Sequence, residues 1–170
     1  MLKHVLVPLD GSKLAHAALD HALNIVGEGG KITLLTVLQP PEIPLYDFYP
    51  VPVAPQTKDY EASFADTISR AKDYLKRTTN DIQERHTLDI DNEVEAGDPA
   101  TVIVALAKNR NVDAIVMSTH GRSGISRWLF GSVTHKVLSI SPIPVYVIPA
   151  SACEDHVGAA EDVQNQLHPV

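Results

Sequence analysis

Short, wholly apolar runs alternate along the chain with longer stretches in which apolar residues return every three or four positions. The first run, HVLVPLD at 4–10, is rich in Val and Leu and reads as a strand buried on both faces. Asp10-Gly11-Ser12 follows as a turn and helix N-cap. Ala15, Ala18, Leu19, Ala22 and Val26 then share a helical face, and Gly27-Glu28-Gly29-Gly30 is expected to end that helix. A second buried strand, ITLLTVL, occupies 32–38. Helical spacing resumes over 59–85, where Ala65, Ile68, Leu75 and Ile82 form one stripe. At 88–96 the period changes to two, with Leu88, Ile90 and Val94 set against Asp89, Asp91, Glu93 and Glu95. One wet face predicts an edge strand. Asp98 and Pro99 suit the N-cap and first position of a helix reaching about Asn109. A buried strand at 114–117, a helix at 132–139 and a last strand at 144–148 complete the pattern.

Strands alternating with helices imply parallel strands joined by crossovers. The expected fold is α/β: a single domain with a Rossmann-like or flavodoxin-like doubly wound sheet of five parallel strands. Such sheets bind ligands beyond the carboxyl ends of the strands, where strand order reverses. If the first and fourth strands are neighbours, Asp10 and Ser118 face one crevice. Two segments stand outside the pattern. Residues 39–58 carry Pro40, Pro41, Pro44, Pro50, Pro52 and Pro55 among Tyr46, Phe48 and Tyr49, which forbids a helix or central strand there. Residues 150–170 are small, polar and acidic, and read as a C-terminal tail.

Composition narrows the class. Hydrophobic residues make up 44% and charged residues 21%, as in a globular domain. No apolar run approaches the roughly 20 residues of a membrane helix, and the N-terminus lacks a signal-peptide layout. A cytoplasmic location with no membrane insertion is the expectation. Cys153 is the one cysteine, so an internal disulfide is excluded; a free thiol in a reducing compartment and an intersubunit bridge both remain open. The formal net charge of −7 argues against nucleic acid as a partner.

Residues 118–134, STHGRSGISRWLFGSVT, follow a buried strand and precede a helix. Gly121, Gly124 and Gly131 permit close approach of a ligand to the backbone. Gly131-Ser132-Val133-Thr134 opens a helix whose free amides and dipole favour an anion. Ser123, Ser126, Ser132 and Thr134 add hydroxyls, and Arg122, Arg127 and Lys136 add positive charge. Phosphate binding and a plain helix cap both fit these residues. His120 can reach a phosphate or cap the strand. Neither a P-loop nor a G-x-G-x-x-G fingerprint is present, nor a nucleophile elbow or a C-x-x-C metal pattern.

Taken in order, VLVPLDGS at 5–12, GDPA at 97–100, DAIVMSTHGRSG at 113–124, GSV at 131–133 and PVYVI at 144–148 resemble the universal stress protein family of the ATP-binding type. The resemblance spans residues 1–149. It implies a Rossmann-like (HUP-type) fold and a nucleotide motif G-x2-G-x9-G-[S/T]. Gly121, Gly131 and Ser132 match that motif, while Ser118 stands at its first glycine. A serine is tolerated there at negative φ and costs roughly 1 kcal/mol or more at positive φ.

Carried over by position, the resemblance places Pro8, Leu9 and Asp10 on the adenosine side and Val37 against adenine. Met117, Ser118 and Gly121 would border the ribose and phosphates, and Arg122, Gly131, Ser132, Val133 and Thr134 would hold the phosphates. The implied ligands are ATP and Mg²⁺, the ion held through the phosphates with Asp10 nearby. The implied role is a nucleotide-dependent regulatory module in stress response, working as a homodimer or a higher oligomer. Val145–Ile148, if an edge strand, supplies a pairing surface for a second copy. A slow ATPase or phosphotransfer enzyme using the same site is the alternative, and a family member without nucleotide is a third.

Overall fold

The structure, a computed structural model, describes residues 2–40, 56–119 and 131–149, with the backbone only at 56–61. Elements run in the order β1 (Leu2–Pro8), α1 (Lys13–Ile25), β2 (Val26–Leu38), α2 (Gln56–Gln83), β3 (Asp89–Ala96), α3 (Pro99–Asn109), β4 (Ala114–Ser118), α4 (Ser132–Ile140) and β5 (Val145–Ile148). The strands form one sheet in the order β3-β2-β1-β4-β5, parallel throughout. This is the Rossmann-type order, with its reversal between β1 and β4. The long run 41–55, the tract 120–130 and the tail 150–170 lie outside the described residues.

Strand alternation sorts the core into two layers. Val5, Val7, Ile32, Leu34, Ala114 and Val116 pack with Ala15, Leu19 and Ala22 of α1 and with Ala71, Tyr74, Leu75 and Ile82 of α2. On the opposite face Leu6, Leu35, Ile115 and Met117 pack with Ala100, Ile103, Val104 and Ala107 of α3 and Val137 of α4. Burial at 100, 103, 104 and 107 is the i, i+3, i+4, i+7 stripe of a core-facing helix. Leu6, Leu34, Leu35 and Ile115 are fully enclosed. Each such side chain contributes roughly 1.5–3 kcal/mol of burial free energy.

The caps follow local chemistry. Ser12 Oγ accepts from the Ala15 amide at 3.2 Å, and Asp10 Oδ1 accepts from the Ser12 amide at 3.0 Å. Gly11, at φ 80°, makes the turn between them. Asp98 caps α3, accepting from the Thr101 amide at 2.9 Å and the Thr101 hydroxyl at 2.7 Å.

β1 lies two residues earlier than expected, at Leu2–Pro8, and two further boundaries differ more. α1 ends at Ile25, and Val26 with the glycines after it belongs to β2. The β1–β2 register moves from Leu2↔Val26 to His4↔Lys31, so these glycines form an irregularity in the strand, not a helix stop. Gly30 sits so close to the Lys3 carbonyl and Val26 that any side chain would clash. α2 begins at Gln56, directly after the last proline, and so takes in the end of the tract assigned to loop.

β3 is an edge of the sheet, as its alternation predicted. β3 carries its carboxylates in an ion-pair array. Lys31 Nζ lies 3.2 Å from Asp89 and 2.7 Å from Asp91, and Arg110 pairs with Glu93. β5 is the other edge, and Tyr146 on it is exposed, as are Leu138 and Ile140 on α4.

Candidate nucleotide-binding site

β1 and β4 are neighbours, so the Rossmann-type reversal opens a crevice above their carboxyl ends. A cleft of about 440 Å³ lies there, within the size range of small-molecule sites. It is the open upper end of the α3/α4-side core, since Leu35, Val37, Ile103, Met117 and Val133 line it and belong to that layer. Of the sequence-predicted residues, Pro8, Leu9, Asp10, Val37, Met117, Ser118, Gly131, Ser132, Val133 and Thr134 all line the cleft. Gly121 and Arg122 lie outside the described residues, as do His120 and Arg127.

The start of α4 is the polar end. Gly131 is the N-cap, with φ −57° and ψ 154°, and no side chain among the described residues caps the helix. The first helical bond runs from the His135 amide to the Gly131 carbonyl at 2.9 Å. The amides of Ser132, Val133 and Thr134 therefore precede the helical bonding pattern. α1 and α3 differ, each carrying a side-chain cap. Two bonds pin this helix start to the end of β4. Thr134 Oγ1 donates to the Ser118 carbonyl at 2.9 Å, and the Gly131 amide donates to the Thr119 carbonyl at 2.6 Å. Uncapped amides, a dipole and a fixed position are what an anion site at a helix start needs.

Ser118 ends β4 in extended geometry: Asn111, at φ 50°, is the one non-glycine residue at positive φ among the described residues. The position therefore imposes no demand for glycine. Asp10 uses Oδ1 on the Ser12 amide, and its other oxygen makes no hydrogen bond to a described residue. It is the one carboxylate on the described lining of the cleft. No cluster of three or more His, Cys, Asp or Glu suited to a metal occurs among the described residues.

Lys136 departs from expectation. Instead of adding charge to the cleft it reaches across to α3, with Nζ 3.0 Å from both carboxylate oxygens of Asp98. The Thr101 hydroxyl, then the Thr101 amide and Lys136, hold the Asp98 carboxyl down at about 2. An N-cap carboxylate already fixed by Thr101 is a ready partner for a lysine on the neighbouring helix.

The cleft also enlists residues that the motif does not mark: Ala15, Leu35, Thr36, Leu38, Gln39, Pro99 and Ile103. Strand periodicity offered a signal for some of them, because Leu35 and Gln39 share the face of Val37. Thr36 is structural, its hydroxyl donating to the Leu9 carbonyl at 3.0 Å.

The family model described as "Universal stress protein family" matches residues 1–149. The chain belongs to the universal stress protein family. A curated relative, Universal stress protein MJ0531 of Methanocaldococcus jannaschii, is 29% identical over 153 residues, covering 87% of this chain and 82% of its own length. Universal stress protein MJ0577 of the same organism is also 29% identical, over 87% of this chain and 95% of its own. A solved structure of MJ0577 superposes with a TM-score of 0.71 at 26% identity, covering 86% of this chain and 94% of that one. A universal stress protein family member from Arabidopsis thaliana with AMP bound shares the fold, with a TM-score of 0.58 at 19% identity over 86% of this chain and 90% of that one. No helix among the described residues of this universal stress protein is long and apolar enough to cross a membrane.

Proposed function

We propose that this universal stress protein binds ATP in the cleft between β1, β2, α3 and α4 and acts as a nucleotide-dependent regulatory module. The observation that carries this is the uncapped start of α4, opening onto a largely apolar cleft at the reversal of strand order. Apolar walls suit a base and sugar, and helix-start amides suit phosphates. The AMP in the Arabidopsis relative belongs to the same ligand class. Mg²⁺ would be held mainly by the phosphates, with the free oxygen of Asp10 as the carboxylate available on the described lining.

The purified protein is denatured and its supernatant analysed for nucleotide by absorbance and chromatography, and the protein is melted with and without ATP–Mg²⁺. Copurified adenine nucleotide, or a rise in Tm with ATP, is expected. Absence of both would defeat the proposal. Steady-state ATP turnover well above background, abolished in Gly131→Asp, would replace the regulatory role with an enzymatic one.

A second copy is the proposed partner, docking on β5. Support comes from the uncharged edge Val145–Ile148 with its exposed Tyr146, and from the exposure of Leu138 and Ile140 on α4. Sedimentation is expected to give a dimer that Tyr146→Asp weakens; a monomer at high concentration refutes it.

A further inference from the structure

The amides at the start of α4 suit phosphates of any nucleotide, so discrimination between bases falls to the other end of the cleft. Among the polar side chains lining the cleft, Thr36 and Thr134 are engaged with the Leu9 and Ser118 carbonyls. Asp10, Ser118 and Ser132 lie at the ends of β1 and β4 and the start of α4. Only Gln39 stands at the β2 end, where its described neighbours on the lining, Val37 and Leu38, are apolar. β2 and β4 are separated by β1, so Gln39 lies two strand spacings from the start of α4, about 10 Å along the sheet.

The backbone aims this residue. Leu35 and Val37 belong to the α3/α4-side layer, so the next residue in that alternation, Gln39, takes the same face. Pro40 follows it, and the residue before a proline is confined to extended geometry, so the strand direction continues through Gln39. The Leu38 carbonyl is already engaged, accepting from the Gly97 amide at 2.9 Å. Gln39 is exposed, and its carboxamide carries both a donor and an acceptor to offer.

We propose that Gln39 is the specificity-determining residue of the cleft, reading the base of a bound nucleotide and selecting adenine over guanine. This rests on the nucleotide proposal above. A carboxamide matches the adjacent amino donor and ring-nitrogen acceptor of adenine. The corresponding edge of guanine presents two acceptors and calls for Arg or Lys. The described lining of the cleft contains neither.

The test measures ATP–Mg²⁺ and GTP–Mg²⁺ affinities by calorimetry for wild type, Gln39→Leu and Gln39→Glu, with tripolyphosphate as a probe lacking the base. Wild type is expected to prefer ATP. Gln39→Leu should reduce that preference about tenfold while leaving tripolyphosphate affinity and Tm unchanged. Gln39→Glu keeps an acceptor for the adenine amino group but loses the donor to the ring nitrogen, so it should weaken ATP relative to tripolyphosphate without moving the ratio toward GTP, whose two acceptors offer a carboxylate no bond. A wild-type preference that survives Gln39→Leu within about twofold, or a Gln39→Glu variant that shifts toward GTP, overturns the role of Gln39 and leaves ATP binding standing. A wild type that binds neither nucleotide overturns both proposals together.

Discussion

Gly131→Asp separates the two demands on the start of α4, because it should raise the stability of the free protein and lower its affinity for nucleotide. Gly131 has φ −57° and ψ 154°, extended geometry open to any residue and typical of an N-cap. An aspartate there can accept from the Val133 or Thr134 amide, which no side chain among the described residues caps. Asp exceeds Gly at an N-cap by a few tenths of a kcal/mol, and its charge at a helix start adds about 0.3–1 kcal/mol. At about 2–4 °C per kcal/mol for a chain of this size, Tm of the free protein should rise by roughly 1–5 °C. The same carboxylate removes an amide from the phosphate and repels it. Loss of a hydrogen bond to a charged group, about 1.5–3 kcal/mol, weakens ATP by at least roughly tenfold. Differential scanning fluorimetry at ATP–Mg²⁺ fixed near 100 times the wild-type Kd reads both effects. Wild type should gain about 2.7 kcal/mol and the variant no more than about 1.4 kcal/mol. A variant that melts lower without ligand, or keeps the full ATP shift, refutes the view that these amides await an anion.

Thr134→Val keeps the shape of the side chain but removes its bond to the Ser118 carbonyl, a buried contact of 2.9 Å. Urea titration should show a loss of about 1–3 kcal/mol, with weaker ATP binding as α4 loses its fixed start. Ser118→Gly should leave ATP affinity within about twofold, because the strand geometry makes no use of positive φ, and should cost roughly 0.5–1 kcal/mol in backbone entropy; a marked gain in affinity contradicts this. His16 and His4 both sit below the ordinary histidine value of 6.5, chiefly through burial. The unfolded chain therefore binds protons first as pH falls, and stability should be full above pH 6.5 and decline below it. Urea melts across pH 5–7.5 should show that slope, reduced in His16→Gln despite loss of its 2.8 Å contact with the Tyr74 hydroxyl; a flat profile in wild type contradicts the assignment.

The fold was legible where one physical cause dominated. Runs such as Val5-Leu6-Val7 must be covered on both faces, and caps such as Ser12 and Asp98 announce helix starts by the bonds their side chains make. Glycine is less decisive, since it permits a helix stop and a strand irregularity alike. What settles the matter at 27–30 is the pairing of Leu2 with Val26 and His4 with Lys31, which is not local. Lys136 shows the same limit for charge: its nearness in sequence to Gly131 suggested the cleft, whereas its partner Asp98 lies 38 positions away. The cleft itself was half visible. Motif spacing marked the α4 end, but Gln39 and Ile103 enter through strand alternation and helix packing that become specific only once the layers are assembled.

The two margins of the sheet have unlike chemistry, and that bears on how far copies of the chain can associate. Growth of a sheet beyond β3 by a second β3 would bring rows of Asp89, Asp91, Glu93 and Glu95 together, where like charges repel. The β5 margin carries no charge. Copies joined there would turn only acidic margins outward, so the association would end at a pair. If copies pair through β5 as proposed, the acidic strand would act as a chain terminator, keeping the association from growing into fibres.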